Sequence, residues 1–200
     1  MPRLCRWSCL LLPVALVALG AEQAAAQAGT VSTARVISLA AVKTTNLTLA
    51  VTSGAVQTLP NFTDNTTNNF PTPVMLRTTW DLNPGQTNTV TIVGWFSTPA
   101  QALVAGGGAQ IPASRIKGKV TPSVTTSTVW PATFTAFTQN ATAGLGTAGG
   151  SLQLLRVTVG GANKSTTRTD QLDLQLDLTG AGALQPGTYS GTLNIQAVTQ

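Results

Sequence analysis

Acid–base and nucleophilic chemistry near neutral pH draws on His, Cys, Glu, Asp, Lys or an activated hydroxyl. This 200-residue chain holds few of them: it has no histidine, and Cys5, Cys9 and Glu22 all lie within its first 28 residues. From residue 29 onward the carboxylates are Asp64, Asp81, Asp170, Asp173 and Asp177. Facing them in number are Arg35, Lys43, Arg77, Arg115, Lys117, Lys119, Arg156, Lys164 and Arg168. Ser114 with Lys117, and Lys164 with Ser165, bring a hydroxyl near an amine, yet neither pair sits in a recognisable nucleophile turn. Asp173 and Asp177 fall on one face of a strand about 13 Å apart. That spacing is too wide for a retaining glycosidase pair and leaves too few oxygens for a calcium site. The inventory therefore points away from an enzyme, and no catalytic residue, metal or cofactor is expected.

Binding chemistry has two candidate sites. Arg115, Lys117 and Lys119 alternate with Ile116, Gly118 and Val120, so on a strand all three cations project from one face. Such a row would suit a polyanion, or would merely solvate the strand and guard it against unwanted pairing. Among the aromatics, Trp80 and Phe96 keep step with aliphatic neighbours and read as core, whereas Trp95 and Trp130 do not and are candidates for stacking on an extracellular glycan. Asn46, Asn61, Asn65, Asn140 and Asn163 each open an N-x-S/T sequon, which a threonine-rich chain produces readily by chance. The dispersed charges give no nucleic-acid footprint, despite a net charge of +5.

The segment before these residues reads as an export signal. Arg3 and Arg6 precede the apolar run Leu10–Leu19, and small residues lead to Ala26-Gln27-Ala28, an A-x-A cleavage site. The run is about half the length that spans a membrane, so residues 1–28 are expected to be removed and no transmembrane segment to remain. The product would be secreted or displayed at the cell surface, with the periplasm as an intermediate stage. Residues 29–200 would then form one domain without cysteine, large enough to build its own core.

All 34 threonines lie after the cleavage site, about a fifth of that domain, and β-branched residues suit a pleated surface. Period-2 alternation runs through it. Leu172, Leu174, Leu176 and Leu178 share one face, and Gln171, Asp173, Gln175 and Asp177 share the other. Tyr189, Leu193, Ile195 and Ala197 mark a last strand beyond the turn residues Gly180 to Gly187, and these two strands are expected to pair as a hairpin. Further strands are expected over 47–51, 74–82, 87–96, 116–120, 129–137 and 152–159, with loops at 61–72, 106–112 and 139–151 and a short helical turn at 99–104. This pattern predicts an all-β protein, an antiparallel sandwich of two sheets.

The closing stretch Leu184-Gln-Pro-Gly-Thr-Tyr-Ser-Gly-Thr-Leu-Asn-Ile-Gln-Ala197 resembles the final hairpin of secreted bacterial pilin-like domains of the spore-coat-U and DUF4402 type. The resemblance implies an Ig-like, pilin-like sandwich in a structural or adhesive fibre subunit. Its partners would be copies of itself or related subunits, joined by β-strand addition. It also implies that the N-terminal extension is the donated strand, with Val31, Val36, Ile37 and Leu39 as its apolar plugs. The chain departs from that pattern in lacking a disulfide after residue 28 and in not ending on an aromatic residue. A monomeric module that binds carbohydrate or polyanion through Trp95, Trp130 or the basic row is the alternative.

Overall fold

In a computed structural model the described residues are 37–39, 46–82 and 88–200; the proposed signal peptide lies outside them. Fourteen strands follow in chain order: β1 (Ile37–Leu39), β2 (Asn46–Ser53), β3 (Thr67–Asn69), β4 (Val74–Asp81), β5 (Asn88–Trp95), β6 (Leu103–Ala105), β7 (Gln110–Ile111), β8 (Ile116–Thr121), β9 (Thr128–Val129), β10 (Thr135–Ala136), β11 (Ser151–Val159), β12 (Ser165–Asp177), β13 (Tyr189–Ser190) and β14 (Asn194–Thr199). One sheet runs β1-β14-β5-β11-β9 and the other β10-β8-β12-β4-β2, with β3 also on β12. A small third sheet, β13-β6-β7, closes one end. The protein is an all-β sandwich, antiparallel except where β1 lies parallel to β14.

Alternation places one face of each long strand inside. Val74, Leu76, Thr78 and Trp80 of β4 point inward, as do Leu172, Leu174 and Leu176 of β12. Val90 and Ile92 of β5 and Leu152 of β11 meet them from the facing sheet. The Trp80 indole donates to the Asn163 carbonyl oxygen at 2.9 Å, so its one polar atom is satisfied in the interior. Gly118 sets the approach of the sheets: a Cβ there would come within 3.0 Å of Leu152 across the sandwich and 3.2 Å of Leu172 beside it. Phe137, fully buried, fills the space above it and meets Phe96 edge-on at 5.3 Å.

Several sequence expectations change. The strands over 171–178 and 188–197 are not a hairpin: β12 and β14 belong to opposite sheets. The sixteen residues between them, 178–193, which include β13, carry the chain from one layer to the other. The expected strand 129–137 is two short pieces, β9 and β10, again in different sheets, because Pro131 cannot donate a ladder hydrogen bond. The expected loop at 61–72 contains β3, and β7 interrupts the loop at 106–112. The helical turn is a 3-10 turn at Pro99–Gln101.

Candidate functional site

The cations of the basic row are engaged one by one. β8 lies beside β12, with Lys119 opposite Asp173 and Lys117 opposite Gln175. Lys117 Nζ reaches Asp177 Oδ2 at 2.6 Å and Lys119 Nζ reaches Asp173 Oδ2 at 3.4 Å. Lys119 also lies 5.3 Å from the centre of the Phe134 ring. The Lys117 ammonium, followed by hydrogen bonds from Thr179, holds the Asp177 carboxyl down from 3.8 to about 2. Arg115 donates to the Thr179 carbonyl oxygen at 2.6 Å, beside a recess of about 250 Å³ with Ile111, Leu178 and Leu184. Asp177 and Asp173 are thus the counter-ions of Lys117 and Lys119.

The two tryptophans do not share a platform. Trp130 packs against the core, and Trp95 is half-buried at the end of β5, opposite Ser151 and Asn194. Neither lines the cleft described below.

A second polar cluster lies inside the sandwich. Arg168 and Asp170, 2% and 1% exposed, form a two-pronged pair at 2.7 and 2.8 Å. Asp170 also accepts from the Ser123 backbone N–H at 2.8 Å, and Arg168 donates to the Val124 carbonyl oxygen at 3.0 Å. Every link is intramolecular, so the pair staples residues 123–128 onto β12. Thr78 stands opposite Arg168 in the ladder, with its Oγ1 buried and unpartnered.

Of the donor-strand residues, Val31 and Val36 lie outside the described residues. Ile37 and Leu39 form the ends of β1, in parallel register with Ile195 and Ala197 at the edge of the five-stranded sheet.

A cleft of about 580 Å³ opens at the end of the sandwich where β8 begins and β12 ends. Its floor is the core itself: Val74, Phe96, Ile116, Leu174, Leu176 and Ile195, all buried. Its walls are half-buried apolar side chains, Val51, Leu59, Phe62, Phe70, Leu103 and Leu193. Around the mouth stand Val56, Thr58, Thr188 and Ser190, all exposed. Among the described residues no Asp, Glu, Lys or Arg lines it. Two segments hold it open. Residues 54–60 are turned by Gly54 (φ +69°), with Gln57 Nε2 donating to the Gly54 carbonyl oxygen at 2.6 Å. Residues 187–193 are seated by Gly191, where any Cβ would collide with the Ala102 carbonyl. Phe62 and Tyr189 meet edge-on at 5.9 Å, and the Tyr189 hydroxyl donates to the Gln185 carbonyl oxygen.

Sequence reasoning missed this cleft because its lining comes from separate stretches of the chain. One signal was available: Val56, Leu59, Phe62 and Phe70 are large apolar residues in a segment without strand periodicity, and such side chains need somewhere to go. Comparison with protein-family models, curated proteins and solved structures finds no match to this chain.

Proposed function

We propose that this chain is an exported, non-enzymatic structural or adhesive surface protein whose copies join by exchanging the N-terminal strand β1. The observation that supports it most is the seat of β1: Ile37–Leu39 lies parallel to β14, at the edge of a sheet. An edge strand is held by ladder hydrogen bonds along one side alone. The same hydrogen bonds form when a neighbour's segment takes the seat, so exchange costs few contacts. The C-terminal resemblance to secreted pilin-like domains supports the reading, and so does the lack of histidine, cysteine and glutamate after residue 28. Glycan or polyanion binding has less support, because Lys117 and Lys119 have carboxylate partners and Trp130 packs inward.

Ser38→Pro tests strand exchange by removing a backbone donor from β1. The parent protein should form concentration-dependent multimers. The variant should remain monomeric, with a melting temperature within a few degrees of the parent. A parent that stays monomeric at every concentration, or multimers indifferent to Ser38→Pro, would count against exchange.

A further inference from the structure

We propose that the cleft at the end of the sandwich binds an uncharged amphiphile, a single aliphatic chain bearing a neutral polar head. The inference goes beyond strand exchange and does not depend on it. Three observations carry it. The volume, about 580 Å³, falls within the range of small-molecule sites. The polarity is graded from a floor of core residues, through half-buried walls, to the exposed hydroxyls of Thr58, Thr188 and Ser190 at the mouth. An apolar chain would displace water from the floor while a hydroxyl or ester stayed at the rim.

The lining decides the charge of the head. Among the described residues no cation lines the cleft, so against this lining an ionised carboxylate or phosphate would lose hydration and gain no partner. An ammonium head fares no better, because no carboxylate among the described residues lines the cleft. The lining also decides the shape of the tail. The rings of Phe62 and Phe96 are already paired, with Tyr189 and Phe137. The remaining wall is largely branched aliphatic, which suits a flexible methylene chain better than a flat ring.

The test uses the purified protein with the neutral fluorophore N-phenyl-1-naphthylamine as reporter, displaced by 1-decanol or by decanoate at pH 8, both well below self-association. One saturable site per chain is expected, with decanol displacing the probe at a concentration about tenfold lower than decanoate. Val56 is 59% exposed, so Val56→Asp should fold normally and weaken the probe several-fold. Leu193→Trp, which fills the wall, should do the same. Absence of a saturable site, equal potency of decanol and decanoate, or parent-like binding by Val56→Asp would each overturn the proposal. In Ser38→Pro the site should persist whatever its multimers do. Its loss there would assign the cleft to strand exchange instead.

Discussion

At the scale of single residues, buried side-chain polar atoms among the described residues have hydrogen-bond partners, and Thr78 is the exception. Its Oγ1 lies in the core without a partner, although Arg168 stands across the ladder from it. A buried hydroxyl left unpaired costs about 1–3 kcal/mol in desolvation. Thr78→Val keeps the shape and removes that cost. We expect it to raise unfolding free energy by about 1 kcal/mol in urea titration; a destabilised variant would mean that the hydroxyl has a partner in solution. Alternation puts Thr78 on the same face as Val74, Leu76 and Trp80, whereas the buried Arg168 does not read as interior in the sequence. Alternation assigns the parity of Arg168 clearly enough, but a charge on the inward parity reads as a break in the pattern until its partner is seen.

The element most dependent on one side chain is the stretch between β8 and β9. Residues 123–128 reach β12 through Asp170 and Arg168, so removing the carboxylate charge leaves a buried guanidinium without its counter-ion. Breaking such a pair from one side typically costs about 3–5 kcal/mol. Asp170→Asn should lose about that much in denaturant unfolding, and proteolysis should cut first within 123–128. A cost below about 1 kcal/mol would show that the staple carries little. Strand positions were largely legible because a period of two needs only local sequence: β4, β5, β11 and β12 fall on their expected spans, although β12 starts at Ser165 rather than Gln171. Strand partners were not. Two long strands in succession pair when the turn between them is tight, and the sixteen residues 178–193 between β12 and β14 are long enough to change layers instead.

At the scale of the whole molecule, the charge inventory sets the pH response. No histidine is present and the cysteines precede residue 29, so from residue 29 onward no side chain has an ordinary pKa between about 5 and 8. Melting temperature should be flat across that range. The acid limb has a known sign at Asp177. Its folded pKa, about 2, lies below the unfolded 3.8. Its stabilisation is therefore complete above about pH 4 and is lost as pH falls toward 2. The Lys117–Asp177 pair is near the surface, so the contribution is under about 1 kcal/mol. Asp177→Asn should melt slightly below the parent at pH 7 and match it at pH 2; a difference that persists at pH 2 would place the effect elsewhere. The amino-acid sequence by itself determined the all-β character, the inward faces and the shortage of catalytic groups, because periodicity and composition are local properties. Tertiary structure alone decided that Asp173 and Asp177 are the counter-ions of Lys119 and Lys117, that the last two long strands lie in opposite layers, and that Phe62, Phe70 and Leu193 border one cleft. Those relations join residues far apart in the chain, and what joins them is the packing of two sheets, which no short window of sequence encodes.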